Sequence, residues 1–151
     1  MPIPSVKLTR YGSLALMLDN TGDIMPFGTT EANVEAAERD LGVRLPREFR
    51  ERLMNVNGGE LSTGGDDWRV FPVLDSSQPA AGRTTDIVSE TRRVRSLVGF
   101  PKDAVPIAAN GAGDFLVLMP TSSSKRIDPQ VKRWNHETHQ CKAVPLRYDD
   151  K

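Results

Sequence analysis

The rhythm of apolar and polar positions changes several times along the 151 residues, and each change predicts an element. In "SLALMLD", residues 13–19, Leu14, Leu16 and Leu18 alternate with Ala15 and Met17, the period of a strand. "NTGD" then supplies a turn and "IMPF" a second strand. From residue 31 the period lengthens. Val34, Ala37 and Leu41 fall on one helical face, Thr29 or Thr30 can cap its start, and Gly42 can end it in the left-handed conformation. Pro46 opens a second helix at the position where a missing N–H costs nothing. Phe49, Leu53 and Val56 form its inner stripe, with Arg47, Glu48, Arg50, Glu51 and Arg52 facing water. Gly58 and Gly59 close it. Two helices joined so tightly must pack against each other.

Beyond residue 60 the strand rhythm returns. "WRVFPVL", Trp68 to Leu74, alternates, and Pro72 predicts an edge position. "DSSQPAAGR" is a loop by composition. Ile87, Val88, Thr91, Val94 and Val98 mark a third helix, with Arg92, Arg93 and Arg95 outward and Gly99 at its end. "VPIAAN" and "FLVLM", joined by "GAGD", form the clearest hairpin in the chain. A last strand pair, "VKRWN" and "KAVPLRY", flanks "HETHQC", after which "DDK" is a frayed tail (149–151). Grouped strands with helices set apart predict an α+β fold: a mainly antiparallel sheet with helices packed to one side. The length predicts one domain over residues 1–151, with 1–28 as a strand-pair extension.

Charge changes this picture little. Twenty basic and twenty acidic side chains cancel, so no global field draws the chain to nucleic acid. Residues 1–75 carry 8 basic and 12 acidic side chains and the remainder the reverse, an asymmetry that matters only if the halves stay apart. The one cysteine, Cys141, forms no internal bridge and fits a reducing compartment. No apolar run approaches the roughly 20 residues that span a bilayer, and the N-terminal run is too short for a secretory core. The expectation is a cytoplasmic protein that engages neither membrane nor nucleic acid directly.

Candidate chemistry is sparse. "HETH" spaces its histidines three apart, His136 and His139, in a predicted turn; zinc proteases need four, on a helix. "NGAGDF" precedes a strand, whereas a phosphate loop precedes a helix. There is no nucleophile elbow, and the arginine-rich helix face lacks interleaved aromatics for stacking on bases. No cofactor, metal or catalytic residue is therefore expected. "GGDDW" places Asp66 and Asp67 beside Trp68, either as a polar turn entering an edge strand or as an exposed acidic and aromatic patch of the kind that binds partners.

"LGVRLPREFRERLMNVNGGEL", residues 41–61, resembles the N-terminal signature of the SUKH superfamily, which includes the fungal cell-wall assembly regulator of the Smi/Knr type. The resemblance rests on Leu41-Gly42, Leu45-Pro46 and Asn57-Gly58-Gly59. It continues through the Trp68–Leu74 strand, the hairpin with Gly113-Asp114, and "VKRWNHET" with Trp134 and His136. It covers roughly residues 30 to 140, and the first 28 residues depart from it. It implies a binding module. Bacterial members are largely immunity proteins that neutralise a cognate secreted toxin, often a nuclease, by direct docking. On composition, the partner-binding residues are expected to be Glu60, Asp66, Asp67 and Trp68, with Asn110 and Asp114 beside them if the loops converge. The free protein is expected to be a monomer. Two alternatives stand: a regulatory scaffold without a toxin partner, and a small hydrolase assembled from Asp66, Asp67, Asp114 and His136.

Overall fold

The computed structural model describes residues 27–75, 86–121, 126–146 and 148. All but Phe27 of the strand pair expected in the first 28 residues, the body of the loop after Asp75 and the 149–151 tail lie outside these. The chain runs α1 (Glu31–Leu41), α2 (Arg47–Asn55), β1 (Glu60–Thr63), β2 (Asp66–Val70), α3 (Ile87–Val94), β3 (Val105–Ala109), β4 (Phe115–Leu118), β5 (Lys132–Trp134) and β6 (Cys141–Ala143). The strands form one six-stranded sheet in sequential order, with every neighbouring pair antiparallel. α3 packs on β3, and α1 packs against both α2 and α3. The α+β class stands. Because β2 hydrogen-bonds to β3, the acidic and basic halves of the chain share one sheet, and their charge asymmetry is not separated into two lobes.

Local chemistry explains most of the boundaries. Thr30, rather than Thr29, caps α1 by accepting the Asn33 N–H, and Gly42 ends it at φ 76°. Asp86 caps α3 by accepting the N–H groups of Val88 and Ser89. The motif of residues 41–61 is mostly joinery. The buried Glu38 carboxylate accepts the Leu45 N–H at 2.8 Å and the Arg50 Nε at 3.0 Å, tying α1 to the start of α2. Asn57 exchanges two hydrogen bonds with the Val73 backbone, its amide donating to the carbonyl at 2.8 Å and accepting the N–H at 2.7 Å.

Four expectations are corrected. Arg50 and Arg52 do not face water; both are buried, Arg50 against Glu38 and Arg52 with Nε donating to the Tyr148 carbonyl. β1 was not expected, because Gly58 and Gly59 read as a stop, yet Glu60 to Thr63 pair with β2 around the Gly64-Gly65 turn. The predicted Trp68–Leu74 strand begins at Asp66 and ends at Val70, and it is internal, since β1 covers its outer side. Pro72 lies past its end, where no ladder N–H is required. Finally, α3 stops at Val94, which leaves Val98 82% exposed instead of in the core.

The core lies between sheet and helices, around Phe49, Leu53, Leu61, Trp68, Ile87, Ile107, Leu116 and Trp134. The sheet is curled. Thr63 at the end of β1 donates its hydroxyl to the Pro145 carbonyl just past β6, so the two edge strands approach each other at one end.

Candidate functional site

Register places one residue from every strand in a single row: Glu60, Arg69, Ala109, Phe115, Trp134 and Cys141 are successive cross-strand partners. Directly opposed residues of antiparallel strands share a face, so this row crosses the whole sheet on one side. Its members from Glu60 to Trp134 form the floor of a cleft of about 880 Å³ whose wall is α3 and the turn after it, through Glu90, Arg93, Leu97 and Val98. Small Ala109 at mid-row leaves the floor open, while Phe71 and Phe115, 6.4 Å apart between ring centroids, make its apolar part.

At the end of the sheet stands a polar network. Arg133 donates Nε and Nη2 to Asp114 Oδ2 at 3.0 and 2.8 Å. Its Nη2 also lies 2.9 Å from Asp66 Oδ2, which accepts the Asn110 amide at 3.3 Å. The guanidinium sits 5.1 Å from the Trp68 ring centroid, within cation–π range. Asp114 Oδ1 accepts the His136 backbone N–H at 3.0 Å and faces His136 Nδ1 at 2.5 Å. Burial would push the Asp114 carboxyl upward, but the His136 ring and backbone hydrogen bonds, with those from Arg133, outweigh it and hold the group below its ordinary value. The Arg133 guanidinium is raised in turn, chiefly by its hydrogen bond to Asp114. Asp114 is thus a firmly ionised anchor, and with it ionised, Nδ1 of His136 carries the proton it donates.

The β3–β4 turn is shaped for this. The Asn110 side-chain oxygen accepts the N–H groups of Ala112 and Asp114, folding the loop so that the carboxylate points back over the sheet. The β5–β6 turn closes on the other side. His139 stacks on Trp134 with 5.8 Å between centroids and 2° between planes, and Trp134 Nε1 donates to the Gly99 carbonyl.

The six residues expected to bind a partner are therefore split by strand alternation. Glu60 and Asp67 line the cleft and are exposed. Asp66 projects to the other face, accepts the Asn110 amide and meets Asp114 through Arg133, so the loops do converge; Asn110 and Asp114, like Trp68, also line the cleft. The exposed aromatic patch is corrected. Trp68 is 1% exposed, and its indole N–H is committed to the Thr63 carbonyl, so it offers a partner almost no surface. Of the hydrolase set, Asp66, Asp114 and His136 belong to one network, whereas among the described residues Asp67 accepts only the Ser62 hydroxyl. Among the described residues that line the cleft, none is a serine, threonine or cysteine. Among the described residues no group of three or more His, Cys, Asp or Glu is placed to hold a metal ion.

Sequence reasoning missed Arg133, the hub of the network, and the Leu97-Val98 lip. Arg133 sits one residue before Trp134 and is cross-strand to Leu116, a polar residue opposite an apolar one. That mismatch becomes visible only once the register is known.

The sequence profile of the SMI1 / KNR4 family (SUKH-1) matches residues 28–145. The chain belongs to this family. The match spans both helices of the 41–61 motif, all six strands and the cleft, so the SUKH-1 membership applies to the folded body described above. A search of curated proteins gave no match. Among the described residues no helix is long and apolar enough to cross a membrane.

Proposed function

We propose that this SUKH-1 chain is an immunity protein: it binds a cognate secreted bacterial toxin, one acting on nucleic acid, by direct docking, and performs no chemistry itself. The observation that carries the reading is how the polar groups in and beside the cleft are used. Arg133, Asp66, Asp114 and His136 are paired with one another and stiffen the site, while the outward charges of Glu60 and Asp67 meet no cation among the described residues. A preformed surface with unpaired rim charge suits recognition of another macromolecule, since its groups need no reordering on contact. Membership of SUKH-1 agrees with a protein partner in general. Acidic groups at the rim complement a toxin groove built for a polyanion.

The test is co-expression with the toxin domain encoded beside its own gene. Growth rescue together with a one-to-one complex on size-exclusion chromatography is the expected result. Neither rescue nor complex with that domain overturns it.

One observation favours a second reading, the hydrolase. Asp114 and His136 stand at 2.5 Å in the order carboxylate then imidazole, the arrangement that orients a catalytic base. This reading requires a reacting group or water at His136 Nε2. It predicts hydrolysis of an ester, phosphodiester or peptide panel that is abolished in His136→Ala.

A further inference from the structure

The cleft has two unlike lips. On the sheet side Glu60 and Asp67 project from β1 and β2; Glu60 has no hydrogen-bonding or ionic partner among the described residues and Asp67 has only the Ser62 hydroxyl. On the helix side, the turn after α3 presents Leu97 and Val98, 37% and 82% exposed. A β-branched side chain that exposed, on a turn that the sequence pattern would bury, contributes nothing to the core. Glu90, beneath that lip, is already neutralised by Arg93 at 2.7 Å. Arg95 is tied to the Ala104 carbonyl at 3.0 Å. Among the described residues the cleft lining thus holds two carboxylates and one cation, Arg69, without an ion-pair partner, and Arg69 is cross-strand to Glu60.

We infer that this cleft takes a loop of the protein partner carrying a basic side chain next to an apolar one. The apolar group packs on Val98, Leu97 and the Ala109–Phe115 floor, and the cation sits between Glu60 and Asp67. Arg69, cross-strand to Glu60 and without an ion-pair partner among the described residues, faces the loop's backbone carbonyls. Apolar contact at the lip and paired charge at the sheet side together set the loop's direction. An acidic loop is disfavoured by the two carboxylates, and a nucleic-acid strand by the same repulsion. The inference rests on the protein-docking reading and adds to it the chemistry of the docked segment.

The probe is the capped peptide Gly-Leu-Arg-Gly, titrated into the isotope-labelled full chain, with the charge-reversed Gly-Leu-Glu-Gly as comparison. Amide resonances of Glu60, Asp67, Val98 and Ala109 are expected to shift with the arginine peptide and to shift little with the glutamate peptide. Val98→Asp, and separately Glu60→Gln with Asp67→Gln, are expected to weaken that response about tenfold. All three positions are exposed, so the variants keep the wild-type spectrum elsewhere. Equal response to both peptides, or shifts confined to other surfaces, overturns the inference. So does dependence of the Val98 resonance on protein concentration without peptide, which makes a second copy the occupant. Failure of the toxin reading is distinct: there the peptide response persists while co-expression gives no rescue. Rescue that survives these substitutions alongside a silent peptide removes the cleft and leaves the toxin reading standing.

Discussion

Gly99 lies directly beneath the ring of His139: a Cβ built on Gly99 would stand 2.3 Å from the imidazole Cγ, and the residue has φ +80°. Gly113 stands in the same relation to His136, with 2.9 Å from its Cβ position to Cγ. Each histidine of "HETH" thus rests on a glycine, one after α3 and one in the β3–β4 turn. The motif that resembles metal ligation is a clasp joining three parts of the fold.

Gly99→Ala tests the clasp. The added methyl meets the ring and the backbone is held in a region that L residues avoid. A loss of about 2 kcal/mol is expected, read as a lowered urea midpoint. His139→Ala in the same background should recover part of it, since the clash goes with the ring. No recovery would show that the backbone conformation alone is responsible.

Asn57 is the second test. Both of its side-chain hydrogen bonds go to the Val73 backbone, and it is buried. Asn57→Ala strands a buried N–H and a buried carbonyl, with an expected cost of about 2–4 kcal/mol. Asn57→Asp keeps an acceptor for the N–H but sets a carboxylate against the Val73 carbonyl, so it should be no milder. Denaturant unfolding of the two variants measures this.

The Glu38–Arg50 pair has side-chain exposures of 8% and 11%. Removing Arg50 leaves the Glu38 charge buried and unpaired, which typically costs about 3–5 kcal/mol, whereas removing Glu38 still leaves Arg50 near Glu31 at 3.6 Å and Glu35 at 3.9 Å. Glu38→Gln retains an acceptor for the Leu45 N–H and should fall below that range. Arg50→Met should sit within it, and Glu38→Gln with Arg50→Met should be less damaging than the sum. A double-mutant cycle by thermal or chemical unfolding gives the coupling.

Acid stability follows from Asp114. Its folded value lies below its unfolded value of about 3.9, so the unfolded chain binds the proton first as pH falls. The contribution is complete above the unfolded value and is lost as pH drops through the folded one. Asp114→Asn is expected to lower stability at neutral pH and to flatten the acid limb of the stability curve. Parallel acid limbs in the two proteins would show that Asp114 does not carry this dependence.

The local rules of the chain located its three described helices, its glycine turns and the β3–β4 and β5–β6 pairs, because caps, turn residues and apolar periodicity act over a few residues. They did not set every boundary: the last strand, expected over 142–148, is Cys141–Ala143. The α+β class followed from their order. β1 escaped because four residues entered from a glycine pair carry too little periodicity to outweigh a stop signal; only pairing with β2 makes them a strand. Arg50 and Arg52 read as surface because charge predicts exposure, until a neighbouring helix supplies Glu38 and the chain end supplies the Tyr148 carbonyl. Val98 read as core because helical spacing was extended one turn past the true helix end. The site divides the same way. Composition singled out Glu60, Asp67 and the Asp66–Asn110–Asp114 group, but whether an acid faces the cleft, Arg133 or both depends on strand alternation and register, and those are set when six strands close into one curled sheet.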